Sequence, residues 1–179
     1  MIVYLYVDDL IFAGNNPSLF EEFKRVMIKE FEMIDIRLTT YYLGIKLNQK
    51  EEGIFISLES YVNKILKKFK MNDCKSISTL VECEVKLSIH EEGKGVDLTF
   101  FQSLVRSLRY LTCTRLDILY AVGLVSRYVE NSKNTHFKAA KRIVRYIKDT
   151  INFGLLYSFS NDYKLVGYIS SNWGRDIDD

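Results

Sequence analysis

Residues 1–14 read MIVYLYVDDLIFAG, two runs of strand-forming residues that meet at a pair of aspartates. Ile2, Val3, Tyr4, Leu5, Tyr6 and Val7 precede Asp8 and Asp9, and Leu10, Ile11 and Phe12 follow them. β-Branched and aromatic residues fit a pleated, half-buried surface, and both runs are of strand length. A hairpin is predicted, with the aspartates at its turn. One Asp followed by Gly would satisfy a tight turn, so the second carboxylate needs another reason. Two carboxylates held close together repel unless a divalent cation neutralises them, and oxygen-only ligands suit magnesium. On this stretch alone, a polar turn between edge strands and a metal-binding tip both stay open.

Downstream, Asn15-Asn16-Pro17 is a helix start, with Asn as cap and Pro at the first helical position. Leu19, Phe20, Phe23, Val26, Met27 and Phe31 then recur every three or four residues as one apolar stripe. A second hairpin is predicted from strands at Tyr42–Leu47 and Ile54–Ser57 around a polar turn. Two hairpins joined by a helix make an α+β unit with antiparallel sheet. Leu58, Tyr61, Val62, Ile65, Leu66 and Phe69 open a helical region, with Lys64, Lys67 and Lys68 on the polar side. Residues from about 72 to 97 lack sustained periodicity and read as a linker. Three further helices are predicted, the second starting at Thr114-Arg115-Leu116-Asp117, which resembles a capping box with Asp in place of Glu. The third carries Lys138, Lys141, Arg142, Arg145 and Lys148 along one face, with no acidic residue before Asp149. Solvation alone could explain such a face; the lack of interleaved acids favours phosphate contact. Phe153–Tyr157 and Leu165–Ile169 read as two last strands.

The chain has 179 residues, 47% of them hydrophobic, which is ample for a core, and a net charge of only +2. That charge is unevenly placed. Residues 1–56 hold 6 basic and 9 acidic side chains, residues 57–150 hold 17 and 10, and residues 151–179 hold 2 and 4. An acidic tip ahead of a basic middle suits a protein that handles a polyanion. Cys74, Cys83 and Cys113 show no paired spacing, and with His90 and His136 they assemble no zinc signature. No apolar run approaches the ~20 residues of a membrane span, and no secretory leader is evident. A soluble intracellular protein, cytoplasmic or nuclear and not secreted, is therefore expected.

The Tyr6-Val7-Asp8-Asp9 tetrad between apolar strands resembles the active-site hairpin of reverse transcriptases. The likeness extends in order through KEFEMID, YYLGIKL, GIFISLESYVNKILKKFKM, SLVRSLRYLT, TRLDILYAVGLVSRY, AAKRIVRYIKDT and GLLYS. The whole set resembles the polyprotein of copia-type LTR retrotransposons. The resemblance implies a partial polymerase palm over residues 1–57, a helical thumb over 58–150, and the first strands of an RNase H-like domain over 151–179. It implies that Asp8 and Asp9 help hold catalytic Mg2+ for two-metal nucleotidyl transfer, with Tyr6 and Val7 against primer end and template. Leu43-Gly44 matches the turn that grips the primer. Lys and Arg of the thumb would follow the phosphates of an RNA–DNA or DNA duplex.

Two departures qualify that expectation. In the family, a further metal-binding aspartate and the nucleotide-binding fingers precede the hairpin, whereas here Met1 stands seven residues before Asp8. The chain by itself is therefore expected to polymerise nothing. Ser170 stands where related elements carry the first RNase H carboxylate, so that activity is expected to be lost too. Other departures follow one pattern. Leu80, Leu98 and Leu116 stand where the family has proline, Arg37, Arg106, Asp149 and Arg175 where it has glycine, and Asn172 where it has aspartate. Each is one C-to-T or G-to-A transition away, which accounts for Pro17 being the only proline where average usage would give roughly nine. A decaying element copy is inferred, with Arg106 expected to overpack a helix contact. A non-catalytic nucleic-acid-binding remnant is the alternative function.

Overall fold

The structure, a computed structural model, describes residues 1–81, 87–88 and 95–159. Ser170, Asn172, Arg175 and the predicted strand at Leu165–Ile169 lie outside the described residues. The chain divides into two compact units, Met1–Thr39 and Thr40–Asp179.

In the first unit, β1 (Ile2–Tyr6) pairs antiparallel with β2 (Asp9–Ala13), in a register running from Ile2 opposite Ala13 to Tyr6 opposite Asp9. The two-residue turn is thus Val7–Asp8, and Asp9 already belongs to the second strand. Helix α1 (Pro17–Phe31) starts as the sequence predicts. The Asn16 side-chain oxygen accepts from the backbone N–H groups of Ser18 at 3.1 Å and Leu19 at 3.3 Å, and Pro17 takes the first helical position. The apolar stripe meets the hairpin through Phe12, whose ring lies edge-on to those of Phe20 and Phe23 with centroids 5.4 Å apart in each case. No residue of this unit is buried, and β1 is exposed along its whole length.

In the second unit the predicted strand Tyr42–Leu47 is broken. β3 (Tyr41–Tyr42) turns back at Leu43–Gly44 onto β4 (Ile45–Lys50), with Tyr42 opposite Ile45. Leu43 and Gly44 both have positive φ, +49° and +83°, the backbone of a tight type I′ hairpin turn. The loss of alternation there was a turn signal, hidden because only one of the two central residues is glycine. β5 (Gly53–Ser57) follows, and β6 (Leu155–Ser158) closes a four-stranded antiparallel sheet in the order β3-β4-β5-β6. The stretch expected to open a separate domain therefore begins by completing this sheet. Two glycines permit that approach. A Cβ at Gly53 would come within 2.2 Å of the Tyr157 carbonyl oxygen, and one at Gly154 within 2.1 Å of that of Ile56.

The helices are α2 (Glu59–Lys68), α3 (Leu98–Leu111), α4 (Leu119–Ser126) and α5 (Asn134–Asp149). Their periodic apolar faces converge on one core: Val62, Ile65 and Leu66 from α2, Phe101, Leu104 and Leu108 from α3, Val122 and Val125 from α4, Ile143 and Val144 from α5. Each of these is almost wholly removed from water, at roughly 1.5–3 kcal/mol apiece for the larger aliphatics. The predicted linker is more than a connector: Leu80 and Val81 pack against that core, and Leu87 is part of it. No helix among the described residues is long and apolar enough to cross a membrane.

Two sequence expectations are corrected here. The capping box at Thr114-Arg115-Leu116-Asp117 does not form. A 3-10 turn (Leu116–Ile118) intervenes before α4, Asp117 is engaged by Arg115, and the buried Thr114 hydroxyl has no partner among the described residues. Arg106 does not overpack a helix contact, because its side chain lies exposed on α3.

Candidate nucleic-acid interface

The Val7–Asp8 turn places a β-branched side chain at φ +52°, a left-handed conformation that costs such a residue of order 1–2 kcal/mol or more. Tight reversal of β1 into β2 requires it, since the first central residue of this hairpin carries the positive φ. Tyr6, Val7, Asp8 and Asp9 are all exposed, so both carboxylates stand in solvent at the tip of the hairpin.

In the second unit, the Leu43–Gly44 turn is fixed from outside its own hairpin. The Tyr110 hydroxyl of α3 donates to the Leu43 carbonyl, and the Tyr61 ring of α2 packs edge-on against Tyr110 with centroids 4.7 Å apart. Burial, with Cys113 and Tyr61 nearby, pushes the Tyr110 phenol above its ordinary value, which keeps it a donor throughout the neutral range. Beside it, Lys46 and Glu59 form an ion pair at 3.3 Å that ties β4 to the start of α2.

The basic side chains of α2 and α5 differ in their surroundings. Lys64, Lys67 and Lys68 are exposed on α2. Of the cations on the basic face of α5 only Lys138 and Lys141 are exposed, Lys141 with its ammonium over the Phe137 ring at 4.3 Å. The other three turn onto the segment that follows α2: Lys148 Nζ donates to the carbonyls of Asn72 at 2.6 Å and Cys74 at 2.7 Å, Arg145 Nε to that of Lys75 at 2.6 Å, and an Arg142 Nη to the Thr79 hydroxyl at 2.7 Å. The face expected to contact phosphates is thus largely a strap anchor. Spacing alone could not reveal this, because cations donate equally well to phosphate and to a main-chain carbonyl.

One cluster escaped sequence reading. Arg115 is 2% exposed and grips Asp117 with two parallel bonds of 2.9 and 2.8 Å, while its other donors reach the Thr150 carbonyl at 2.9 Å and hydroxyl at 2.6 Å. It locks the entrance of α4 to the end of α5. The Tyr146 hydroxyl adds a bond to Asp117 at 3.1 Å. An arginine two residues before an aspartate is too common a pairing to have signalled this.

Comparison with known proteins decides the family. The reverse transcriptase (RNA-dependent DNA polymerase) family matches residues 1–83. The chain is 33% identical over 180 residues to the retrovirus-related Pol polyprotein from transposon RE1 of Arabidopsis thaliana, and 34% identical over 188 residues to that from transposon TNT 1-94 of Nicotiana tabacum. The chain belongs to the copia-type retrotransposon reverse transcriptases. Both alignments take in 99% of the chain, yet it spans only 12% and 14% of those two polyproteins. An uncharacterised mitochondrial protein of Arabidopsis thaliana is 33% identical over 173 residues, which are 97% of this chain and 72% of that protein. No solved structure matches.

The reverse transcriptase family typically uses a divalent metal. Asp8 and Asp9 offer carboxylates from consecutive residues, one in the turn and one in β2. Among the described residues no set of three acidic, His or Cys side chains converges to hold an ion. Mg2+ takes six oxygens, and one or two carboxylates together with waters and substrate phosphates commonly supply them. Asp8 and Asp9 are exposed and would fit two of those positions.

Proposed function

We propose that this chain is a portion of a retrotransposon reverse transcriptase, contributing the end of the palm (1–57), the thumb (58–150) and the entry to an RNase H-like domain (151–179). Asp8 and Asp9 give two of the carboxylates for the Mg2+ site of RNA-directed DNA synthesis in the parent polyprotein, and the remaining ligands come from other parts of that polyprotein. The observation that carries this reading is the pairing of a two-residue turn at an exposed Asp-Asp with a polymerase family match over the same residues. The first unit also buries none of its residues, as befits a piece of a larger sheet. Leu43-Gly44 and the basic thumb side chains serve to hold a primer–template duplex.

A primer-extension assay with magnesium is the test. The chain alone extends no more than its Asp8→Asn variant; extension above that control would overturn the assignment of missing ligands to other segments. Duplex binding separates this reading from a non-catalytic binding remnant. Magnesium-dependent binding lost in Asp8→Asn supports a polymerase-derived site, and salt-sensitive binding indifferent to both aspartates favours the remnant.

A further inference from the structure

The helical unit leaves a cavity on the side away from its sheet-bound turn. It measures about 820 Å3, is open to solvent, and is bordered by the segment that follows α2 together with α4 and α5. Much of its wall is aliphatic. Met71, Leu87, Val125 and Ile143, all buried in the core, border it, and the half-buried Leu80 and Leu124 extend that apolar surface. Close-packed interiors leave few voids larger than a water molecule, so an apolar wall around a space of this size lacks the contacts that packing normally supplies. The volume falls in the range of roughly 300–1,000 Å3 usual for small-molecule sites.

Charge around this cavity has one sign. Lys70 and Lys75 line it from the segment after α2, and Lys138, Lys141, Arg142 and Arg145 line it from α5; no acidic residue joins them among the described residues. Some of these cations have structural partners. Arg142 donates to the Thr79 hydroxyl, Arg145 to the Lys75 carbonyl, and the Lys141 ammonium lies over the Phe137 ring. The other three differ. Lys70, Lys75 and Lys138 are exposed, and their ammonium groups make no hydrogen bond or ion pair with the described residues. A cleft lined by one sign of charge, with low-dielectric walls, focuses its field and concentrates ions of the opposite sign.

We propose that this cavity binds a small amphipathic anion, a hydrocarbon chain ending in a single carboxylate, with the chain against Leu80, Leu124 and the buried aliphatics and the head group at Lys70, Lys75 and Lys138. Both halves of the lining are used only by a ligand with both halves. A free nucleotide answers the charge and not the wall, because the polar edges of a base are costly to bury against aliphatic side chains that cannot pair with them. A hydrocarbon has no such edges. Met71 suits the task, since its unbranched thioether adapts to irregular contours. The site is separate from the Asp8–Asp9 hairpin and from the Leu43–Gly44 turn, and it depends on neither metal nor duplex.

The test is calorimetric titration of the full chain with dodecanoate, kept below its micelle-forming concentration, with thermal unfolding measured alongside. About one dodecanoate per chain is expected, and the unfolding midpoint should rise with its concentration, as for any ligand of the folded state. Lys70→Gln/Lys138→Gln changes two exposed cations and should weaken binding several-fold. Ala139 also lines the cavity, and Ala139→Phe, which fills it, should abolish binding. Unfolding without ligand checks that each variant folds as the parent does. Excess dATP, an anion without a hydrocarbon chain, should not displace dodecanoate. The site is overturned by absence of binding, by a midpoint that falls as dodecanoate is added, by displacement with dATP, or by parental affinity in the lysine pair. Attachment to anionic phospholipid vesicles that Ala139→Phe leaves unchanged would assign these cations to a membrane surface and overturn it equally.

Discussion

The phenol of Tyr110 on α3 donates its hydrogen bond to the main-chain carbonyl of Leu43, tying a helix to the turn of a hairpin 67 residues earlier. The turn is intrinsically costly, because Leu43 sits at φ +49°. Tyr110→Phe keeps the ring contact with Tyr61 and deletes only the donor. It is expected to cost about 0.5–1.5 kcal/mol in thermal unfolding and to speed amide exchange around Leu43–Ile45. Exchange unchanged at those amides would show that the hairpin holds its turn unaided. Burial raises the Tyr110 value above its unfolded one, so the protonated donor is favoured in the fold. Its contribution is whole below about pH 10 and is lost as pH rises through the folded value.

Asp117 has the opposite sign. Burial works against its ionisation, but the hydrogen bonds and charge of Arg115, helped by the Tyr146 hydroxyl, outweigh it and hold the carboxyl below its ordinary value. Its stabilising contribution is therefore present above about pH 4 and fades as acid carries the solution down through the depressed folded value. Asp117→Ala removes the partner of an almost fully buried guanidinium. With the carboxylate itself partly exposed, about 2–3 kcal/mol is expected, below the usual cost of breaking a fully buried pair. The variant should also lose the acid-side slope of unfolding free energy against pH. A variant that keeps that slope would place the acid sensitivity on another group.

How much was legible follows from what kind of signal each feature leaves. α1 was readable down to its cap, because Asn16 and Pro17 act within a single turn. The long helices were readable because an apolar stripe at three- and four-residue spacing has only one way to be buried. β6 pairing with β5 was not, since it depends on Gly53 and Gly154 yielding space across a hundred residues of chain. Nor was the duty of Lys148, whose ammonium would look the same in sequence whether it met a phosphate or the Asn72 carbonyl. Among the site residues, local pattern marked Asp8 and Asp9, and only packing distinguished the cations of α2 from those of α5.

Some departures from the family pattern acquire a physical meaning. Arg37, where glycine was expected, has φ +65°, a region that costs a side-chain-bearing residue about 1 kcal/mol. Leu98 and Leu116, where proline was expected, are the first residues of α3 and of the 3-10 turn, positions whose N–H needs no intrahelical partner. Asp97 before Leu98 has ψ 109°, outside the α region that a following proline disfavours. Arg37→Gly and Leu98→Pro should each stabilise by about 0.4–1 kcal/mol, roughly additively, since they lie in different units. Denaturant midpoints would check this. Destabilisation by either change would mean that the residue now present has been accommodated and the family pattern no longer applies there.

The strap offers the sharpest separation between a structural and a binding cation. Lys148 donates to two carbonyls of the 72–74 segment, and with the aliphatic part of its chain half-buried it behaves as a bolt more than as a surface charge. Lys148→Met preserves the stem and deletes the ammonium, leaving the Asn72 and Cys74 carbonyls to find water. About 1.5–3 kcal/mol of local stability should go, because hydrogen bonds to a charged donor are the stronger kind. Since the loss is local, it should appear as faster tryptic cleavage after the exposed Lys75 under native conditions, with the pattern elsewhere in the helical unit unchanged. Arg145→Gln, which frees the carbonyl of Lys75 itself, should act in the same direction. Cleavage at the parental rate in both variants would show that the segment is held by Leu80 and Val81 in the core alone, and would return the basic face of α5 to the solvent and to the phosphates.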